Sequence, residues 1–169
     1  MQDKSKTWQM FNRIAHRYDV LNRVLSGGID VYWRRRVASH VPPQRPLRYL
    51  DLGTGTADFI VALIKKLGPD SFSQILGIDP AENMLAHGRP KLKQHKHASL
   101  EIGDATALTQ ASDAFDVITM AFAVRNVPDV PACLSEMVRV LDHQGRALIL
   151  EFSIPKNPLI RCVYLLYFR

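Results

Sequence analysis

A glycine-rich turn follows the apolar run at 47–52. The run at 47–52 carries an acidic residue, Asp51, and is followed by Gly53, Gly55 and the small residue Ala57. Gly53 permits a tight turn, Gly55 lets the backbone approach a ligand, and Ala57 lets the next helix pack on the strand. The spacing is typical of a turn that binds a nucleotide or a nucleoside.

Two further acidic residues end later apolar runs. Asp79 follows Gly77-Ile78, and Asp104 lies in Gly103-Asp104-Ala105. The Asp79 carboxylate can accept hydrogen bonds from both hydroxyls of a ribose. Asp104 can accept from an adenine amino group, with the backbone N–H of Ala105 serving a ring nitrogen. A turn capped by aspartate is the alternative for Asp104. Because ligand crevices of open α/β sheets lie at the strand ends, the three acidic residues predict one shared crevice.

The position of Asp51 bears on the charge of the ligand. A carboxylate directly before the glycines disfavours a diphosphate, as in NAD, and favours a cationic nucleoside. S-adenosylmethionine (SAM), with its sulfonium and amino groups, meets that requirement. An NAD-linked oxidoreductase is the disfavoured alternative.

The elements that position these residues alternate in type. Strands are predicted at 47–52, 74–78, 99–102, 115–120 and 147–152, with helices between them at 57–67, 81–93 and 131–141. This alternation predicts an α/β, Rossmann-like parallel sheet with helices on both faces. We divide the chain into an N-terminal helical cover (1–46), a SAM-binding domain (47–157) and an amphipathic C-terminal helix (158–169).

Helical spacing of apolar residues organises the N-terminal cover. A stripe that begins at Trp8 continues beyond Asp19 to Leu25, where Ser26-Gly27-Gly28 breaks it. Asp30 is predicted to cap the helix that follows.

Composition bounds the class of protein. The 169 residues are 47% apolar and 22% charged, which indicates one globular domain. No apolar run is long enough to span a membrane, and the N-terminus shows no secretory signal. The two cysteines lack metal-binding spacing, so we expect no metal and a cytoplasmic protein.

The net charge of +6 is uneven, because residues 1–48 alone carry +7. A basic segment of this kind favours a phosphate-rich surface, with a solvated helix face as the equal alternative.

Three blocks of sequence resemble the quinone C-methyltransferases of menaquinone and ubiquinone biosynthesis, which are class I SAM-dependent methyltransferases. The blocks are 18–26 (YDVLNRVLS) followed by Trp33, 50–58 (LDLGTGTAD), and Arg125-Asn126-Val127 with 139–141 (RVL) and 150–153 (LEFS). The resemblance implies methylation of demethylmenaquinol to menaquinol. It also implies SAM contacts at Thr56, Asp79, Asp104 and Ala105.

Arg125 and Asn126 follow the fourth predicted strand and are the candidate catalytic residues. Arginine stays protonated, so it can stabilise a phenolate but cannot act as the base. A water polarised beside the pair is the expected proton acceptor. For Arg125 the alternative is a surface salt bridge. Glu151, at the end of the fifth predicted strand, could contact the quinol, with a structural hydrogen bond as the equal alternative. Tyr18 could face the pocket from a lid, whereas an exposed or structural role is favoured for His16.

The resemblance also implies partners. We expect a polyprenyl quinol substrate, no nucleic acid, and peripheral association with the inner membrane surface, with a homodimer as an open possibility. The ubiquinone-precursor benzoquinol remains an alternative substrate. A nucleic-acid methyltransferase is disfavoured, because residues 119–122 lack the Asn/Asp-Pro-Pro-aromatic clamp of amino methylation.

The family continues beyond position 169 with an antiparallel hairpin. Without that hairpin, the fifth strand is expected to have an open edge. A catalytically incomplete fragment is therefore another alternative, and we expect SAM binding to be weak.

Overall fold

In the computed structural model, residues 7–26, 28–42 and 46–152 are described. The predicted C-terminal helix at 158–169 and residue Ser153 of the third sequence block lie outside this part of the chain. The helices are α1 (Thr7–Leu25), α2 (Ile29–Ala38), α3 (Asp58–Leu67), α4 (Glu82–Leu92) and α5 (Val130–Val140). The strands are β1 (Leu47–Leu52), β2 (Phe72–Asp79), β3 (Ala98–Ile102), β4 (Phe115–Ala121) and β5 (Leu141–Leu150).

The five strands form a parallel sheet in the order β3-β2-β1-β4-β5. The predicted Rossmann-like fold is therefore confirmed. The chain builds outward from β1 to β3 and then returns to add β4 on the other side of β1. Such a reversal opens a crevice at the carboxyl ends of β1 and β4, and ligands of α/β sheets bind in crevices of this kind.

Apolar side chains are buried on both faces of the sheet, as the continuous apolar runs of the strands require. On one face Tyr49 of β1 packs with Ile60 and Leu63 of α3. On the other face Leu52 packs with Met137 of α5. The two layers fix the strand ends rigidly and so fix the residues that follow them.

The stripe predicted from Trp8 to Leu25 lies on one continuous helix, α1, which passes through Asp19. One prediction for the N-terminal cover needs correction. Asp30 does not cap α2, because the N-cap is Gly28, in the left-handed conformation at φ 80°. Asp30 lies in the first turn instead, where it accepts a hydrogen bond from the Ser26 hydroxyl at 2.9 Å and faces Arg34 at 3.7 Å.

The fifth strand begins earlier than the sequence predicts. Helix α5 ends at Val140 and β5 starts at Leu141, with a register shift opposite the Phe115–Val117 segment of β4. The strand ends at Leu150 and lies at one edge of the sheet formed by the described residues.

Candidate functional site

A cleft of about 220 Å³ lies at the carboxyl ends of the strands, beneath α1. Six of the nine site residues predicted from the sequence line it: Gly53, Gly55, Asp79, Asp104, Ala105 and Asn126. The other three, Asp51, Thr56 and Arg125, do not. These six residues come from the carboxyl ends of β1, β2, β3 and β4 and the loops that follow them, which only the sheet brings together.

Gly53 shows why the turn after β1 needs glycine. Its φ is +65°, and a Cβ at this position would lie 2.5 Å from the Cβ of Ala123. Its N–H donates to the carbonyl of Ile78 at 2.8 Å, which holds the turn against the end of β2. A side chain would therefore both strain the backbone and push apart two walls of the cleft.

Asp79 ends β2 and is only 9% exposed. One carboxylate oxygen accepts from the backbone N–H of Gly55 and the other from that of Ala81, each at 2.8 Å. Burial raises the pKa of Asp79, and these two hydrogen bonds oppose the rise. Since each carboxylate oxygen can accept more than one hydrogen bond, both oxygens keep capacity for ligand hydroxyls.

Asp104 is exposed and lies on the loop after β3. Its Oδ1 accepts from the backbone N–H and the hydroxyl of Thr106, both at 2.8 Å. In the part of the chain that is described, Oδ2 accepts no hydrogen bond from protein. The turn capped by Asp104, which the sequence offers as the alternative, is thus present. It leaves one carboxylate oxygen of Asp104 available at the cleft.

Asp51 lies within the sheet and not on the cleft wall. It is 2% exposed and accepts hydrogen bonds from the hydroxyls of Thr119, at 2.5 Å, and Thr54, at 2.8 Å. The Tyr49 hydroxyl completes this buried group at 2.6 Å from that of Thr119. Burial raises the pKa of Asp51 to about 6, although the two threonines lower it. Its charge can act on a ligand through the protein, but the structure shows no direct route of contact.

Thr56 ties the glycine-rich turn to the helical cover. Its hydroxyl donates to Asp19 Oδ1 of α1 at 2.5 Å. Asp19 Oδ2 accepts from Lys91 at 2.6 Å, and Lys91 also donates to Asp58 at 2.7 Å. We name Thr56, Asp19, Lys91 and Asp58 the cover clamp, since these contacts hold α1 over the cleft.

Arg125 and Asn126 lie in a short 3₁₀ turn, Val124–Asn126, after β4. Asn126 faces the cleft. The Arg125 guanidinium pairs with the carboxylate of Glu151 and lies 5.2 Å from the centroid of the Phe152 ring. The salt bridge considered for Arg125 is therefore present, and it joins the loops that follow β4 and β5.

The sequence did not identify the aromatic wall of the cleft. Trp8 and Phe11 of α1, together with Phe122, line it. The stripe on α1 predicts an apolar helix face, but such a stripe does not distinguish a core from a cleft. Tyr18 also lines the cleft, with its ring edge-to-face against Phe11 at 5.8 Å, whereas His16 is exposed and does not reach it.

The described residues form neither a metal site nor a membrane-spanning helix. Within residues 7–26, 28–42 and 46–152, no group of three His, Cys, Asp or Glu side chains is arranged to hold a metal ion. None of the helices described has both the length and the apolar character required to cross a bilayer.

Comparison with known proteins gives a family match over the whole chain. The model of the ubiE/COQ5 methyltransferase family matches residues 1–169. The ubiquinone/menaquinone biosynthesis C-methyltransferase UbiE of Geobacter sulfurreducens is 42% identical over 162 residues, covering 94% of this chain and 62% of that protein. The demethylmenaquinone methyltransferase of Staphylococcus carnosus is 38% identical over 167 residues, covering 99% and 68% respectively. The chain thus spans about two thirds of the length of these relatives.

Solved structures agree on the fold. The crystal structure of a SAM-dependent methyltransferase from Aquifex aeolicus superposes with a TM-score of 0.64 at 20% sequence identity. The match covers 74% of this chain and 66% of that one. At this identity the likeness concerns the architecture of the sheet and its helices.

Proposed function

Since this chain belongs to the ubiE/COQ5 methyltransferase family, we propose that it transfers a methyl group from SAM to a ring carbon of demethylmenaquinol, giving menaquinol. The observation that carries the proposal is the composition of a single cleft. Two carboxylates, Asp79 and Asp104, lie in the same cleft as Asn126 and the Phe122 ring. One group of residues suits a nucleoside and the other suits an aromatic acceptor.

The residues present fit SAM. Asp79 would take the ribose hydroxyls on the remaining lone pairs of its carboxylate, and Asp104 would take the adenine amino group on Oδ2. Gly53 and Gly55 line the cleft at positive φ. Because glycine has no side chain, SAM can approach the backbone at both positions. Asp51 would supply negative charge beneath the turn. When bound, SAM supplies an electrophilic methyl group.

The acceptor must be the reduced ring. A quinone ring is electron-poor, whereas a quinol that loses a hydroxyl proton places negative charge on the ring carbon that attacks. The chain must therefore align that carbon, assist loss of the proton and stabilise the phenolate. Asn126, which lines the cleft, can position a quinol oxygen through its amide.

Arg125 would stabilise the developing phenolate. Its guanidinium is half exposed, and the Glu151 carboxylate orients it from the loop after β5. A guanidinium carries five N–H donors, so pairing with one carboxylate leaves donors for a substrate oxygen. Neither Arg125 nor Asn126 is a base, and a water beside them is the proposed acceptor of the quinol proton, which it passes on to bulk solvent.

A membrane surface is the proposed partner that presents the polyprenyl tail. On α1, the apolar side chains of Val20 and Val24 are 65% and 70% exposed. Arg13 and Arg17 are exposed on the same helix. Exposed apolar side chains with neighbouring cations favour peripheral binding to anionic lipid, on the cytoplasmic side. A homodimer remains a prediction, which analytical ultracentrifugation would test.

A methyl-transfer assay tests the proposed function. The chain is incubated with methyl-labelled SAM and a short-tailed demethylmenaquinol, kept reduced, and the products are separated chromatographically. We expect label in the naphthoquinol, and none when the acceptor is kept oxidised. Label only in a ubiquinone-precursor benzoquinol would move the assignment to the other pathway. Absence of label from every acceptor, with SAM bound, would overturn methyl transfer by this chain.

A further inference from the structure

Three aromatic side chains from distant parts of the chain meet beside the cleft. Phe122, directly after β4, stacks on Phe152, after β5, with centroids 4.6 Å apart and an interplanar angle of 26°. Trp33 of α2 meets Phe152 edge-to-face at 5.5 Å and Phe122 at 6.1 Å. We call Trp33, Phe122 and Phe152 the aromatic shelf.

The backbone of Phe122 is in the left-handed region, with φ +58°. A bulky residue rarely adopts this conformation, because its Cβ approaches the neighbouring carbonyl. The strain is held by the N–H of Phe122, which donates to the carbonyl of Leu150 at 2.7 Å. Strained residues of this kind concentrate where a side chain must be presented to a ligand. Here the strained residue presents its ring to the cleft.

The shelf also touches the candidate catalytic turn. Arg125 lies 5.2 Å from the Phe152 ring centroid, and its guanidinium pairs with Glu151, the neighbour of Phe152 in sequence. Phe152 is 42% exposed, so the shelf is not a closed part of the core. Phe152 contacts both Phe122 and Arg125, so the shelf links the cleft wall to the candidate catalytic turn.

We infer that the aromatic shelf is the subsite for the acceptor ring, with Phe122 as the stacking surface and Phe152 and Trp33 as positioning residues. The inference rests on the proposed function and adds the residues that select a planar, electron-rich ring. Offset stacking between aromatic rings is favourable and requires a fixed geometry. The strain at Phe122 and the two rings behind it supply that geometry.

Trp33 provides a direct reporter. The chain has two tryptophans, Trp8 and Trp33, so Trp8→Phe leaves Trp33 as the sole indole fluorophore. In this background, titration with short-tailed demethylmenaquinol should quench Trp33 fluorescence saturably. SAM binding is measured separately by calorimetry. A chain that binds SAM but shows no saturable quenching overturns the inference and leaves SAM binding intact, whereas failure to bind SAM counts against the proposed function alone.

Two substitutions at Phe122 separate the ring from the strained backbone. Phe122→Gly removes the ring but suits the positive φ, so the variant should fold. We expect it to raise the quinol dissociation constant and KM by about tenfold or more, with SAM affinity changed less than about twofold. Phe122→Tyr keeps the ring and should restore quinol binding. Equal quinol binding in Phe122→Gly and the parent would overturn the inference.

The positioning role has its own readout. Phe152→Leu retains bulk but removes the ring beneath Arg125, and should raise KM for quinol more than it lowers kcat. Tyr32 is the matched control, because it precedes Trp33 on α2 and is 65% exposed. Tyr32→Ala should leave both constants unchanged. If Phe152→Leu behaves like Tyr32→Ala, Phe152 has no part in the subsite.

Discussion

Thr56 donates its hydroxyl hydrogen bond to Asp19 across 2.5 Å, and so joins the glycine-rich turn to the helix that covers the cleft. Asp19 also pairs with Lys91 at 2.6 Å. One α1 carboxylate therefore holds two separate parts of the ligand-binding domain. Opening of the cover must break both contacts, which makes Asp19 the point where access to the cleft can be altered.

Asp19→Ala should loosen α1 without unfolding the sheet. Thr56 and Lys91 both lose an acceptor, although Lys91 keeps Asp58, so we expect a loss of about 1–2 kcal/mol. Hydrogen exchange should accelerate across residues 7–25 and remain slow in β1 and β4. Glu82→Ala is the control, since its ion pair with Arg89 is exposed and contributes little. Unchanged exchange in α1 would exclude the cover clamp.

The pH dependence of stability tests the burial of Asp51. Its pKa of about 6 in the folded chain lies above the ordinary 3.8. At a pH between these two values, Asp51 is therefore mostly protonated in the folded chain and mostly ionised in the unfolded chain. Stability contributed by this group therefore falls as pH rises from about 4 to about 6, by roughly 3 kcal/mol in total. The Asp51→Asn variant should not lose this stability as pH rises, because asparagine does not titrate.

The measurement is the difference in unfolding free energy between Asp51→Asn and the parent across pH 4–7. Subtraction removes the contributions of the other acidic groups, several of which have lowered pKa values and the opposite slope. We expect the difference to move in favour of the variant as pH rises through this window. A difference that stays flat with pH would show that Asp51 titrates normally.

Asp79 and Asp104 should differ in what their removal costs. Asp79→Ala leaves the N–H groups of Gly55 and Ala81 without their acceptor, at about 1–3 kcal/mol per buried group. Asp104 is exposed, so Asp104→Ala should lower stability little. Both variants should bind SAM at least about tenfold more weakly by calorimetry. Normal SAM affinity in Asp104→Ala would remove that residue from the site.

Arg125→Lys tests the proposed role of the guanidinium. Lysine keeps the charge but cannot pair with Glu151 and a substrate oxygen in the same planar geometry. We expect kcat for methyl transfer to fall by about a hundredfold with SAM affinity unchanged. Glu151→Gln should give a smaller loss, because an amide still accepts a hydrogen bond from Arg125. Full activity in Arg125→Lys would contradict the proposal that the planar guanidinium N–H groups of Arg125 stabilise the phenolate.

Vesicle flotation tests the membrane partner. The chain should float with vesicles containing anionic phospholipid, less so with neutral vesicles, and should be released as salt rises. Replacing both Arg13 and Arg17 with Gln should weaken binding. Flotation that is equal on neutral and anionic vesicles at all salt concentrations would exclude the electrostatic contribution.

The sequence predicted the elements that local patterns determine. The limits of β1 agree with its apolar run, and Gly53 marks the turn that follows. The start of β5 was missed, because α5 passes into it with no breaker residue between them. Asp30 was wrongly assigned as a cap, since Gly28 supplies the left-handed residue from which α2 begins.

Within the site, the sequence failed where contacts join distant segments. Asp51 pairs in register with Thr119 of β4, and this pairing draws its carboxylate into a buried hydrogen-bond group. No local pattern links positions 51 and 119. Phe122 was missed for a related reason: its strained backbone depends on a hydrogen bond to Leu150 in another strand. The expectation of weak SAM binding by a chain of this length stays a prediction.

The central claim is that the carboxylates at the strand ends hold the nucleoside of SAM in the cleft. A crystal structure of the chain soaked with S-adenosylhomocysteine at millimolar concentration tests it most directly, since high concentration compensates for weak binding. We expect the ribose hydroxyls on Asp79, the adenine amino group on Asp104 and the sulfur directed toward Phe122 and Asn126. Ligand density elsewhere, or a bound nucleoside that leaves Asp79 without a ribose contact, would contradict the claim.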